Sequence, residues 1–233
     1  MSASDQLYFS GETDCCFTAN FIKPNMCRDC MKNISKHKKN SISNDTILKA
    51  LEYSQKGEKI PSPITDITNF SSYGGKLFLG GFKAVLNTEF VVKENLKGVV
   101  NTVGEPLFQI FGKKFENSYK SVLSEHDVSC FYVEWEDHTS FDIPDVDLAQ
   151  VLRFIHERLS TGGSVLVHCA QGKSRSSTVV IAYIMVVMGT TATEAFGFVK
   201  ERRKMAEPNP RFMEKLKEFE TSELRKTLKK DFS

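Results

Sequence analysis

Residues 164–178, Ser-Val-Leu-Val-His-Cys-Ala-Gln-Gly-Lys-Ser-Arg-Ser-Ser-Thr, decide the fold of this chain. An apolar run ends at Cys169, and a long apolar segment begins soon after Arg175. This order predicts a buried strand, a short loop and the N-terminus of a buried helix. Open sheets of parallel strands bind their ligands at the carboxyl ends of the strands. We therefore expect a functional site in the loop between Cys169 and Arg175.

The composition of this loop is that of an anion site. Loop amides turned inward form an anion-binding concavity, and a helix N-terminus adds partial positive charge. Arg175 supplies a planar donor that suits two phosphate oxygens at once. The same positive field lowers the pKa of the Cys169 thiol from its ordinary value of about 8.5. A thiolate that faces a bound phosphate is a nucleophile for in-line attack on phosphorus.

The full pattern is His168-Cys169-x-x-Gly172-x-Ser174-Arg175-Ser176. It resembles the signature loop of the cysteine-dependent protein tyrosine phosphatases, and among them the atypical dual-specificity group. The resemblance runs from about residue 70 to residue 222. The alternative is a structural cysteine at a strand end with a surface-paired arginine, which leaves the glycine and the hydroxyls unexplained.

The resemblance implies roles for the loop residues. Cys169 is the nucleophile, Arg175 binds the phosphoryl group, Ser176 helps the cysteine leave in the second step, and His168 sets the environment of the thiol through hydrogen bonding. Ser174 orders the loop, and Lys173 is either an added cation for the anion or a solvated lysine at the rim. The predicted substrate-binding residues are Ala170, Gln171, Gly172, Lys173, Ser174 and Arg175.

A proton donor for the leaving oxygen is expected upstream, because an alkoxide leaves poorly unless it is protonated. A predicted strand, Cys130–Trp135, ends in an acidic loop. In the dual-specificity family an Asp at this place is followed, after four residues, by an Asp/Asn-Leu/Ile pair, which Asp137 and Asp142-Ile143 match. Asp137 is the predicted general acid. The other candidates are Glu134, Glu136 and Asp142. If they are not the acid, we expect them to be solvated loop charges, and we expect Asp142 to cap the next helix.

The alternation of strands and helices predicts an α/β fold with a mostly parallel central sheet flanked by helices. Further predicted strands are Lys76–Gly81 and Gly98–Thr102, with a loop at residues 104–114 and a helix at Tyr119–His126. We divide the chain into a Cys-rich extension (1–40), a linker with a helix (41–68), a catalytic domain (69–222) and a C-terminal tail (223–233).

The N-terminal extension carries a Cys-x-x-Cys pair that is typical of small zinc sites. Cys27 and Cys30, with Cys16 (or Cys15) and His37, would complete a Cys3His tetrahedron. With all four ligands used, such a zinc would be structural or would serve partner binding. The alternatives are a tail with reducible thiols and a redox pair.

Overall composition gives no clear signal for nucleic acid or membrane. The net charge is only +2, and the longest apolar run, Val179–Met188, is shorter than the roughly 20 residues that span a bilayer. The six cysteines and the lack of an apolar segment at the N-terminus predict a reducing compartment, cytoplasmic or also nuclear. Lys32, Lys36, Lys38 and Lys39 form a basic cluster that reads as a solvated face, with nuclear import or anionic lipid as the alternative.

The function expected from the resemblance is hydrolysis of phosphotyrosine and phosphoserine/phosphothreonine in proteins, without a cofactor. The chain lacks the tyrosine-bearing segment that deepens the pocket of tyrosine-specific relatives, so a shallow pocket is expected. The alternatives are a phosphatase for phosphoinositide, RNA or glycan phosphate, and a phospho-binding pseudophosphatase adaptor.

Overall fold

A five-stranded sheet forms the centre of the molecule. The structure, a computed structural model, describes residues 59–64 and 74–233, and the backbone of residues 8–10 and 37–39. Its strands are β3 (Ser62–Pro63), β4 (Leu77–Gly81), β5 (Leu96–Asn101), β6 (Ser129–Tyr132) and β7 (Ser164–Cys169). The sheet has the order β3-β4-β7-β5-β6, and every neighbouring pair is parallel except β3 with β4. The predicted α/β class with a mostly parallel sheet is confirmed.

Helices cover both faces of this sheet. They are α1 (Thr88–Lys93), α2 (Pro106–Phe111), α3 (Lys113–Glu125), α4 (Asp145–Ser160), α5 (Arg175–Met188), α6 (Ala192–Arg202), α7 (Pro210–Thr221) and α8 (Glu223–Asp231), and a 3-10 turn spans Phe82–Ala84. Side chains from α1 to α3 share one buried cluster with Phe78, Val99 and Leu166, and those from α4 to α8 share another with Leu77, Val100 and Val165. Alternate strand residues therefore point to opposite faces.

Strand β7 lies in the middle of the sheet, and this position places Cys169. Gly81 pairs with Cys169 from β4, and Asn101 pairs with His168 from β5. Helix α5 leads away from the same edge and is buried along nearly all of its length. The loop after Cys169 is thus held between two neighbouring strand ends and the start of a core helix.

Most of residues 104–114 are helical, in Pro106–Phe111 and in the start of Lys113–Glu125, so the predicted loop there is wrong. Pro106 occupies the first turn of α2, and Gly112, with φ 85°, separates α2 from α3. A proline at the start and a glycine after the end are the ordinary punctuation of a short helix. The segment folds as helix because Leu107, Phe108 and Ile110 bury their side chains.

The C-terminal tail of residues 223–233 is part of the folded domain. Ser222 accepts a hydrogen bond from the Arg225 amide and so caps α8. Leu228 is fully buried, and the Phe232 ring stacks on His156 of α4 with centroids 4.0 Å apart.

Two further predictions concern the linker and a membrane-spanning segment. Of the predicted linker, residues 41–58 and 65–68 lie outside the described residues. A two-stranded antiparallel pair joins β1 (Tyr8–Ser10) to β2 (His37–Lys39). Among the described residues no single helix is long and apolar enough to span a membrane; α5 and α6 reach such a length only together, across a bend of 119°.

Candidate active site

The side chain of Cys169 is 2 % exposed and lies at the end of β7. The amide of Gly172 and the hydroxyl of Ser176 each donate a hydrogen bond to its sulfur at 3.2 Å. The loop therefore curls around the thiol, and both donors favour a negatively charged sulfur.

Opposing effects act on the pKa of Cys169. Burial raises the pKa, whereas the Arg175 guanidinium and the hydrogen bonds from Ser176 lower it, and Asp137 raises it slightly. The net result is a pKa below that of an ordinary thiol. The Arg175 guanidinium and the Ser176 hydroxyl are thus the groups that favour the thiolate form of Cys169.

Arg175 forms the wall of the same pocket. It is 1 % exposed, and its Nη1 donates to the backbone carbonyl of Trp135 at 3.1 Å. Within the described part of the chain its buried Nε has no hydrogen-bond partner. A buried guanidinium with an unsatisfied donor is costly unless an anion completes it, so the arrangement suits an oxyanion ligand.

The loop conformation depends on Gly172. Its φ is 71°, and a Cβ atom there would lie 2.4 Å from the backbone carbon of Gly80. Only glycine fits this close approach of loop and strand. The predicted glycine therefore has a structural reason for its place.

Arg203 holds this loop from behind, although sequence reasoning did not single it out. It is 3 % exposed, and its Nε and Nη2 donate to the carbonyls of Gly172 (2.7 Å) and Gln171 (3.0 Å). A third bond runs from Nη1 to Ser62 Oγ at 3.2 Å, in strand β3. By engaging the carbonyls from outside, Arg203 helps to keep the loop amides turned inward.

His168 is fully buried behind the thiol. Burial lowers its pKa to about 4, so the ring is neutral near pH 7. Its Nδ1 lies 3.2 Å from the Cys169 carbonyl, which can only accept, so Nδ1 carries the proton. Nε2 then accepts from the hydroxyl of Tyr119 at 2.7 Å. This chain of bonds fixes the backbone at Cys169, and Tyr119 is a contributor that the sequence analysis missed.

Asp137 reaches the same cavity from the loop after β6. Its Oδ1 accepts hydrogen bonds from Ser174 Oγ at 2.6 Å and from Asn209 Nδ2 at 3.0 Å. Ser174 also accepts a bond from the Asn209 amide at 3.1 Å. Ser174 thus links the phosphate loop to the candidate acid.

Two of the competing carboxylates, those of Glu134 and Asp142, lie elsewhere. Glu134 lines a different cavity together with Glu105, and burial raises its pKa. Asp142 pairs with Arg211 at 2.8 Å, and Pro144 rather than Asp142 precedes the first residue of α4. The predicted cap by Asp142 is therefore wrong, because its carboxylate is drawn to α7.

One cavity of about 270 Å³ brings together most of the predicted catalytic and substrate-binding residues, whereas Gly172, Ser176 and His168 do not line it. Ala170, Gln171, Lys173 and Ser174 line it beside the nucleophile, the arginine and the candidate acid. Lys173 forms an ion pair with Glu207 at 2.8 Å, so it is neither free nor simply solvated. The lining residues are Asp137, Cys169, Ala170, Gln171, Lys173, Ser174, Arg175, Glu207, Pro208, Asn209 and Pro210.

The sequence analysis missed Asn209 and Arg203, and only Asn209 carries a local sequence signal. Asn209 precedes Pro210 and accepts from the Phe212 amide, which is the ordinary signature of a helix N-cap. Its second role, the bond to Asp137, has no local signal. Arg203 follows the end of α6 with nothing in the neighbouring sequence to show that it is buried.

The predicted zinc ligands Cys16, Cys27 and Cys30 lie outside the described residues, as does Cys15. His37 belongs to β2, for which the structure gives the backbone alone. In the part of the chain that the structure describes, no group of three or more His, Cys, Asp or Glu side chains could hold a metal ion. The zinc site stays a prediction.

Comparison with known proteins agrees with this geometry. Residues 77–222 match the family model described as the dual specificity phosphatase catalytic domain. The dual specificity protein phosphatase Mpk3 of Drosophila melanogaster is 34% identical over 147 residues, which are 63% of this chain and 33% of that protein. The chain thus matches about a third of the length of this relative.

Solved structures share the fold. The crystal structure of DUSP15 is 26% identical with a TM-score of 0.55, covering 72% of this chain and 96% of that one. The crystal structure of PTPMT1 in complex with PI(5)P is 25% identical with a TM-score of 0.55, covering 65% of this chain and 94% of that one.

Proposed function

This chain belongs to the dual specificity phosphatase family, and we propose that it hydrolyses phosphotyrosine and phosphoserine/phosphothreonine in proteins through a cysteinyl-phosphate intermediate at Cys169. The observation that carries the proposal is the buried thiol that accepts two hydrogen bonds beside the Arg175 guanidinium. Such a site holds a phosphoryl dianion and a nucleophile together. Its amides and guanidinium supply the charge stabilisation that phosphoryl transfer requires.

In the first step the Cys169 thiolate attacks phosphorus. The S–P bond forms while the bond from phosphorus to the leaving oxygen breaks. Asp137, in its protonated form, gives its proton to that oxygen, so the alcohol or phenol leaves neutral. Arg175 and the loop amides hold the three phosphoryl oxygens throughout.

In the second step water attacks the phosphocysteine. Asp137, now a carboxylate, takes a proton from the water as the new P–O bond forms and the S–P bond breaks. The hydroxyl of Ser176 donates to the departing sulfur, which its distance of 3.2 Å already allows. Inorganic phosphate is released and the thiolate is restored, with no metal needed at any stage.

A phosphoprotein is the proposed substrate, and a phosphoinositide is the main alternative. Similarity to a structure that holds PI(5)P favours the alternative. Against it, the single loop lysine is engaged by Glu207. An adaptor without chemistry is the least supported reading, since the chain keeps both Cys169 and Asp137. A low-pKa thiolate oxidises readily, so we place the proposed enzyme in a reducing compartment, the cytoplasm or also the nucleus.

The proposal is tested by hydrolysis of p-nitrophenyl phosphate and of matched phosphotyrosine and phosphothreonine peptides, with PI(5)P vesicles alongside. Assays contain a chelator and compare wild type with Cys169→Ser. We expect peptide hydrolysis that survives the chelator and is absent in the variant. Hydrolysis of PI(5)P with neither peptide cleaved would move the assignment to a lipid phosphatase.

A further inference from the structure

Lys173 and Glu207 form an ion pair at the mouth of the active-site cavity. Glu207 Oε2 lies 2.8 Å from Lys173 Nζ, and both residues line the cavity that holds Cys169 and Arg175. The side chains are 46 % and 62 % exposed, respectively, so an arriving substrate meets them first. Arg175, by contrast, is buried inside the cavity.

The pairing is fixed by the backbone as well as by the side chains. The Glu207 amide donates to the Lys173 carbonyl at 2.7 Å. Pro208 follows directly and restricts the backbone of Glu207 to extended conformations. The backbone of Glu207 therefore stays beside Lys173 when the side chains move, which keeps the carboxylate within reach of the Lys173 ammonium.

The charge of Glu207 cancels the cation that would otherwise attract anionic groups to the rim. Lys173 lowers the pKa of Glu207, so the carboxylate is ionised near pH 7. One residue beyond the cavity lining, Arg211 is likewise engaged, by Asp142, Glu214 and Glu218. A second phosphate or carboxylate beside the scissile group would have to displace Glu207 from Lys173, against the repulsion of like charges.

We propose that Glu207 determines specificity, by holding Lys173 so that the site disfavours substrates with a second negative charge beside the scissile phosphate. The substrate class that fits is a monophosphorylated protein segment with neutral or basic neighbours. This inference rests on the proposed function, whose substrate it narrows. Charges at the rim of a site act chiefly on the rate of association and on the orientation of the bound partner. We therefore expect a change in the relative kcat/KM of different substrates and not a loss of hydrolysis.

The test uses two phosphotyrosine peptides that differ only in flanking residues, one with lysines and one with glutamates, on the full chain. The quantity measured is the ratio of kcat/KM for the basic over the acidic peptide. Glu207→Gln removes the charge at nearly constant shape. Glu201→Gln is the matched control, because it makes the same charge change in α6 at a residue that does not line the cavity.

We expect wild type and Glu201→Gln to prefer the basic peptide, and Glu207→Gln to lower the ratio by about threefold to fivefold, the size of a partly exposed charge contact. In a Lys173→Met background, adding Glu207→Gln should change the ratio less. Because the ratio is taken within one preparation, it does not depend on the folded fraction.

An equal ratio in Glu207→Gln and Glu201→Gln overturns the inference. An undiminished effect in the Lys173→Met background overturns it too, since Glu207 would then act without Lys173. Failure of wild type to cleave p-nitrophenyl phosphate and both peptides contradicts the proposed function instead, which separates the two failures.

Discussion

Ser174 Oγ lies 2.6 Å from Asp137 Oδ1, and this hydrogen bond joins the phosphate-binding loop to the loop that carries the candidate acid. The two residues are 37 positions apart in the chain. Asn209, from the start of α7, donates to the same oxygen at 3.0 Å. The position of the candidate acid is therefore set by the phosphate-binding loop together with the start of α7.

Asp137→Ala should slow hydrolysis in a way that depends on the leaving group. Removal of a general acid costs about 10²- to 10⁴-fold where the leaving oxygen needs a proton. An activated aryl phosphate needs that proton less, so its loss should be much smaller. The measurement is single-turnover kinetics on phosphothreonine peptide and on p-nitrophenyl phosphate. Equal losses on both would point to a different acid.

Ser174→Ala should show the same leaving-group dependence on a smaller scale. It removes the Ser174 hydrogen bond that orients Asp137 and keeps the acid itself, so we expect about a tenfold loss on the poor leaving group. Ser177→Ala is the control, because the buried Ser177 hydroxyl has no hydrogen-bond partner among the described residues. Similar effects from both serine variants would argue that Ser174 acts on stability and not on the acid.

The sequence could predict those parts of the site that are encoded locally. The strand before Cys169, the loop and the helix after Arg175 follow from apolar patterning and from glycine and hydroxyl positions. The prediction of Asp137 depends on the spacing between Asp137 and Asp142-Ile143, which matches that of the dual-specificity family. No such pattern encodes which distant side chain meets the loop, so Arg203 and the second role of Asn209 required the fold.

Arg203→Lys should impair both the loop and the stability of the domain. A lysine keeps the charge but cannot bridge the carbonyls of Gly172 and Gln171 as a planar guanidinium does. We expect weaker inhibition by inorganic phosphate and a loss of about 2 kcal/mol in the free energy of unfolding. Urea unfolding and phosphate inhibition are the measurements.

The control for this variant is the neighbouring arginine. Arg202 is exposed and lies over the Phe198 ring at 3.6 Å from its centroid. Arg202→Lys should leave phosphate inhibition unchanged. If Arg203→Lys also leaves it unchanged while stability falls, Arg203 supports the fold without positioning the loop.

Alkylation of Cys169 by iodoacetamide should have a pH midpoint below that of an ordinary thiol, about 8.5. The pKa of Cys169 is lowered because Arg175 and the Ser176 hydrogen bonds stabilise the thiolate and together outweigh the effect of burial. Thiolate should therefore persist as the pH falls below the ordinary range and be lost only at the lowered pKa. Ser176→Ala removes one donor, so its midpoint should move upward. Peptide mapping resolves Cys169 from the other cysteines, and a wild-type midpoint at or above the ordinary value would mean that burial dominates.

Errors in the predicted fold also have a physical origin. Helix α2 is only six residues long, so it offers too few turns for a periodic signal. Pro106 and Gly112 mark the start and the end of this helix, but proline and glycine are equally common in loops. Helix α8 is strongly polar, and its burial of Leu228 depends on the surfaces of α4 and α5, which its own sequence does not reveal.

The covalent intermediate at Cys169 is tested most directly by rapid acid quenching during turnover of p-nitrophenyl phosphate, followed by mass spectrometry of the Cys169 peptide. Ser176→Ala is the variant of choice, because slower departure of the sulfur should let the intermediate accumulate. We predict a phosphoryl group on Cys169 in this variant, and neither modification nor turnover in Cys169→Ser. Turnover without a phosphorylated Cys169 peptide, or turnover that survives in Cys169→Ser, would contradict the mechanism.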